Sequence, residues 1–181
     1  MFNSVACPIL ILKFKSHDTL KHKLLESINT AMGESLIDGE DNISKTDWNI
    51  DKTLRRQYLE IIQAPLVEHL KEAYNSIGVG GFEVHNFWYQ QYNTNATHSW
   101  HTHAGTHYTN IYYLELLPNG PKTQIINPVT QSIEILDVKE GDIVSFPSFI
   151  FHKSPPVTEN SRKTIISFNT SFHTLLVNPA V

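Results

Sequence analysis

The chain has 181 residues, 40% hydrophobic and 18% charged, with a formal net charge of −4. That length suits one domain with a substantial core. The acidic balance offers no broad basic field for nucleic acid or an anionic membrane surface. One cysteine, Cys7, excludes an internal disulfide, and no apolar run reaches the roughly 18 residues that span a bilayer. Met1 to Cys7 carries no basic n-region, so the expected compartment is the cytoplasm. On that expectation the sequons at Asn42, Asn95 and Asn169 are chance matches.

The first element expected is a strand in Pro8–Phe14, which is short, apolar and β-prone. Asp18 then caps a helix whose apolar stripe is Leu20, Leu24, Ile28 and Met32. Residues 33–49 are polar and glycine-containing and read as a loop, with Trp48 as the large anchor near its end. A second helical region follows. Leu54, Tyr58 and Ile61 or Ile62 start a stripe that Leu66, Leu70, Tyr74 and Ile77 continue past Pro65. That proline either starts a new helix or kinks the first. Gly78 is placed to end it.

From Phe82 the texture becomes that of strands: 82–92, 98–103, 108–117, 123–126, 132–138, 143–146 and 164–172. Turns such as Pro118-Asn119-Gly120, Asn127-Pro128 and Glu140-Gly141-Asp142 fall between most of them. Short strands so spaced predict an antiparallel sandwich or barrel. The fold expected is mainly β with N-terminal helices, in one domain over 1–181. Residues 1–80 would form a helical support region and 81–175 the β-barrel core.

Four of the ten histidines fall between positions 98 and 107. On an extended segment, residues two apart share a face, so His101 and His103 should project together. His152 follows the strand and turn 141–147, which can return it to the same end. Three imidazoles on one face suit Fe(II), Zn(II), Cu or Ni and leave coordination positions open. Arg162 opens the last long strand, with Thr164 on its face. A guanidinium grips a carboxylate in two parallel bonds, and a hydroxyl adds a third. A bland reading remains beside this one, in which His101 and His103 are ordinary strand histidines.

The arrangement resembles the Fe(II)- and 2-oxoglutarate-dependent oxygenases, and among them the small oxygenases of bacteria and bacteriophages. The matching blocks are Trp100-His101-Thr102-His103-Ala104-Gly105-Thr106, then Ile111-Tyr112-Tyr113-Leu114, then Asn127-Pro128. Glu140-Gly141-Asp142-Ile143-Val144-Ser145-Phe146-Pro147-Ser148 with His152 follows, and Arg162-Lys163-Thr164-Ile165-Ile166-Ser167-Phe168-Asn169 closes the series. The resemblance spans residues 82–172 and extends more weakly over 8–48. It implies a double-stranded β-helix (a jelly-roll, cupin-like barrel with packing helices), iron bound by His101 and His152, and 2-oxoglutarate held by Arg162.

His103 departs from most of that superfamily, which has Asp or Glu at this position. The small-oxygenase group looks similar in having His-x-His. Two readings stay open: a three-histidine site of His101, His103 and His152, or a carboxylate or water in the third position. The resemblance further marks Tyr113 and Asn110, beside Tyr108 and Tyr112, as positions that hydrogen-bond the cosubstrate, against a plain core role. His107 is a weaker candidate ligand. His98 should face away from His101. Asn127 offers no carboxylate and suits a turn.

The expected function is therefore an iron- and 2-oxoglutarate-dependent dioxygenase that hydroxylates an unidentified substrate. One alternative is a cupin-like three-histidine metal dioxygenase without 2-oxoglutarate, with Arg162 on the substrate's own carboxylate. The other is a non-enzymatic β-barrel binding protein with structural histidines. The partners expected are the small-molecule cosubstrate and a primary substrate, without a membrane or electrostatically bound nucleic acid; a homodimer is compatible with the sequence.

Overall fold

The computed structural model describes residues 7–158 and 161–176, so Met1–Ala6, part of the segment read for an n-region, lie outside the described residues. The elements are β1 (Leu10–Lys13), α1 (His17–Thr30), β2 (Glu34–Asp38), β3 (Asp41–Thr46), α2 (Gln57–Asn75), β4 (Val79–Tyr92), β5 (His98–His101), β6 (Tyr108–Glu115), β7 (Gln124–Ile126), β8 (Ile133–Ile135), β9 (Asp142–Pro147), β10 (His152–Ser154) and β11 (Lys163–Leu175). They pair into a seven-stranded sheet, β1-β9-β6-β11-β4-β3-β2, and a four-stranded sheet, β5-β10-β7-β8. Every pairing is antiparallel. Two facing sheets with helices on the outer side of the larger one form the jelly-roll with packing helices expected from the sequence.

The local expectations fare unevenly. α2 runs unbroken through Pro65. Ile62, Leu66, Leu70 and Tyr74 are all buried on the same side of that helix, so packing on both sides of the proline outweighs a local cost of about 3 kcal/mol. α1 begins at His17 with Ser16 as its cap residue, so Asp18 lies in the first turn and is not the cap. Met32 and Leu54 fall outside the helices and are exposed.

Residues 33–49 are not a loop. They fold into the hairpin β2–β3, turning at Gly39 with φ +56°. β3 extends the large sheet through Lys45 and Thr46, opposite Gln91 and Gln90 of β4. With β1 also in that sheet, three of its strands come from the region read as helical support, so the boundary at residue 80 does not divide helices from barrel.

β11 separates two cores, because successive side chains point to opposite faces. Ile166 and Phe168 pack with Leu24 and Ile28 of α1 and with Leu66, Leu70 and Tyr74 of α2. Ile165 joins Tyr113, Ile125, Val144 and Phe146 between the sheets. A bulge in β4 matters for the site. Ser167 pairs with Trp88 and Asn169 with His85, so Asn86 and Phe87 together oppose Phe168. Asn86 takes up the extra residue in the left-handed region, at φ +50°. The alternation reverses there: Phe82, Val84, Phe87 and Tyr89 all face the helix core. Trp88, Gln90 and Tyr92 turn into the space between the sheets.

Candidate metal centre

His101 ends β5 and His152 opens β10, directly opposite each other in the ladder. His103 lies two residues beyond β5, where its backbone N–H donates to the Ser148 carbonyl at 3.0 Å. The ring centroids of His101 and His152 are 4.2 Å apart, with His103 at 5.3 and 5.1 Å from them. One nitrogen from each ring lies within 4.8 Å of those of the other two.

Oxygen acceptors assign the tautomer of all three rings. Nδ1–H of His101 donates to the Ser99 carbonyl at 2.7 Å, and that of His152 to the Ile150 carbonyl at 3.0 Å. Nδ1–H of His103 donates to Asn169 Oδ1 at 2.9 Å. Each Nε2 therefore keeps its lone pair, the form that binds a metal, and each ring is oriented by its second nitrogen. Burial holds all three neutral. His103 is pushed down to about 4, first by burial and then by the neighbouring His101. His101 and His152 are lowered chiefly by burial as well. Three neutral imidazoles with three free Nε2 atoms fit a divalent transition metal.

The rings border a narrow cavity between the sheets, lined also by Tyr92, Thr109, Ile111, Thr123, Ser154, Ile165 and Ser167. Its free volume of about 20 Å³ holds roughly one water. Lys163 stands against the Tyr92 and Ser154 part of this lining and is 1% exposed. Its ammonium donates to the Ser154 hydroxyl and to the Pro121 carbonyl at 3.4 Å, and lies 4.6 Å from the Tyr92 ring centroid. These partners are all neutral, and burial lowers the Lys163 pKa to about 7. A buried cation without a counter-charge is costly.

Strand alternation sends Arg162 and Thr164 the other way. Arg162 makes a bidentate pair with Glu115, at 2.7 and 3.1 Å, and Thr164 donates to the same carboxylate at 2.8 Å. The sequence reading puts Arg162 and Thr164 on the carboxylate of 2-oxoglutarate, whereas the carboxylate they hold in the structure belongs to Glu115. Neither residue joins the histidines. Asn110 also faces the helix core, where its Oδ1 accepts from Tyr74 at 2.8 Å and from Ser145 at 2.5 Å. Tyr113 does face inward, and its hydroxyl donates to Thr123, which lines the cavity, at 2.6 Å. His107 is turned away: its Nδ1 accepts the Phe172 N–H at 3.0 Å and its ring stacks on Phe172. Asn127 serves its turn, with Oδ1 accepting from Val129 and Thr130.

His98 corrects the expectation made for it. His152 pairs with His101 and Ser154 with His98, which leaves an extra residue on β5 and reverses the alternation. His98 consequently stacks on His101 at 3.8 Å. Both line a groove of about 370 Å³, with Leu36, Asp41, Ile43, Trp48, Asn86, Trp88, Gln90, Thr102, His103, Ala104 and Asn169. Sequence reasoning missed Lys163, Asn169 and Asp41. For the first two the signal was present, since odd positions of β11 share a face; Asp41 lay in the presumed loop.

No protein-family model matches this chain, and no curated protein matches it. Solved structures do. A 2OG-Fe(II) oxygenase family oxidoreductase from Burkholderia pseudomallei superposes with a TM-score of 0.71 at 10% identity, covering 94% of this chain and 88% of that one. A prolyl-4-hydroxylase from Pseudomonas putida gives 0.63 at 13% identity, covering 93% and 95%. A prolyl hydroxylase from Trichoplax adhaerens, in complex with a hypoxia inducible factor oxygen degradation domain peptide fragment, gives 0.64 at 14% identity, covering 90% and 83%. The chain thus has the fold of the 2OG-Fe(II) oxygenases.

Proposed function

We propose that the protein is an Fe(II)- and 2-oxoglutarate-dependent oxygenase. His101, His103 and His152 hold the metal through Nε2, and Lys163 takes the distal carboxylate of 2-oxoglutarate in place of Arg162. When bound, Fe(II) with 2-oxoglutarate and O2 supplies the oxidant that hydroxylates an unactivated C–H bond.

The observation that carries this reading is Lys163. A buried ammonium with neutral partners, beside a cavity whose other border is three histidines, calls for an anion. A dicarboxylate reaching from the histidines to Lys163 supplies that charge. The Thr123 and Ser154 hydroxyls lie beside its path, the first held by Tyr113. A cavity of about 20 Å³ admits such a molecule only when lining side chains move, so binding should perturb the Trp88 that lines it. Because Lys163 is lowered to about 7, a carboxylate bound above that pH should draw a proton onto Nζ.

The test is succinate formation from 2-oxoglutarate with Fe(II) and O2, alongside an anaerobic titration of 2-oxoglutarate into metal-loaded protein. Oxygen consumption indifferent to 2-oxoglutarate would instead favour the cupin-like dioxygenase, and failure to bind Fe(II) would favour a binding protein. No helix among the described residues is long and apolar enough to cross a membrane. We place the protein in the cytoplasm, where Fe(II) stays reduced.

A further inference from the structure

The groove at the mouth of the three histidines has an uneven chemistry. Leu36, Ile43, Trp48 and Trp88 make its apolar walls. Trp48 and Trp88 meet edge to face at 4.6 Å, and Trp88 stacks on His103 at 5.6 Å, so the aromatic wall leads directly to the histidines. Trp48 keeps 43% of its surface exposed. Asp41 is the lining carboxylate, and no lysine or arginine lines the groove. One of its oxygens accepts the Ser99 N–H at 2.7 Å, while the other faces His98 at 3.7 Å. Lys52, whose ammonium lies 5.5 Å from the Trp48 centroid, lines a neighbouring groove instead. The β2–β3 hairpin that forms this rim also carries Glu34, Asp38 and Glu40.

We propose that this groove takes an aliphatic chain ending in a cation, of the kind carried by a lysine side chain, with its methylenes against Trp48 and Trp88 and its ammonium on Asp41. An indole face attracts a cation and packs against methylenes, while a partly buried carboxylate supplies the counter-charge. Resting on the oxygenase reading, the proposal makes a methylene of that chain the site of reaction. Its C–H bond becomes C–OH, 2-oxoglutarate is oxidised to succinate and CO2, and the two atoms of O2 go to the alcohol and the succinate.

Binding is tested without the metal, by tryptophan fluorescence of the whole chain. Nα-acetyl-lysine methylamide is compared with the norleucine and glutamate analogues, and n-pentylamine serves as the free-amine arm. The lysine compound should bind at least tenfold more tightly than either analogue. Asp41→Asn retains an oxygen for Ser99 and should abolish that preference while leaving weak neutral binding; Trp48→Ala should weaken the lysine and norleucine compounds alike. Equal binding of lysine and norleucine compounds, or a preference that survives Asp41→Asn, overturns the proposal. If pentylamine matches the lysine compound the ligand is a small amine, and if it binds far more weakly the ligand is a peptide lysine; either upholds the cation. Lysine-selective binding with no succinate in the iron assay sinks the oxygenase reading and the hydroxylation placed on it, and upholds the groove as a site for a cationic chain. Succinate formation without lysine selectivity sinks this proposal alone.

Discussion

Each imidazole of the triad is aimed by one hydrogen bond, and Asn169 is the side-chain acceptor in the set. Asn169→Ala should lower metal affinity about 10- to 100-fold with the fold intact, read by Co(II) or Fe(II) titration. Lys163 and Arg162 give a sharper contrast. Lys163→Met removes a buried charge, so the metal-free protein should be as stable as before or more so, while 2-oxoglutarate binding is lost. Arg162→Gln should change 2-oxoglutarate affinity less than threefold and cost stability instead, because it breaks the Glu115 pair. Calorimetry of both variants decides between them. The histidines were legible because spacing and chemistry coincide. Lys163 was not, because an arginine one position earlier looks like the better carboxylate clamp, and sequence type alone does not give a strand's facing.

At the level of elements, two bulges set what reaches the site. The aromatic run Phe87-Trp88-Tyr89 reads as core in the sequence, yet Asn86 divides it, sending Trp88 to the histidines and its neighbours to the helices. Asn86→Gly should be neutral or slightly stabilising, since glycine adopts positive φ freely. Asn86→Val should cost about 1–2 kcal/mol in urea unfolding, as a branched side chain is forced into the left-handed region. The strand series from residue 82 onward was legible from its turns and β-prone runs. The β2–β3 hairpin was not, because it lies at the sheet edge and is largely polar, and its strand character comes from pairing with β4.

For the whole molecule, neutral buried histidines tie stability to pH. His98 and His103 are held at about 3 and 4, against an ordinary value of 6.5. Below pH 6.5 the unfolded chain takes up protons that the folded one refuses. Stability of the metal-free protein is therefore greatest above 6.5 and should fall toward pH 4, by up to about 1.4 kcal/mol per histidine per pH unit. Denaturant midpoints across that window measure it. Metal binding works in the opposite sense: at 100 times its Kd, a metal that binds only the folded state adds about 2.7 kcal/mol. For a chain of this size that raises Tm by roughly 5–11 °C, reversed by a chelator.

β11 carries both cores on one backbone, and its Asn169 stands between Phe168 and Thr170. Those two neighbours face α2, where the Tyr74 hydroxyl lies 2.6 Å from Thr170 Oγ1. The acceptor that aims His103 is thus bolted to the same three-residue stretch that docks the helix. Loosening that helix by Tyr74→Phe has no direct contact with the triad, yet it should register as weakened metal binding before the fold is lost. On the oxygenase reading proposed above, the triad would then act as a gauge of scaffold integrity, so that a badly docked molecule would also be an unloaded one and would not activate oxygen.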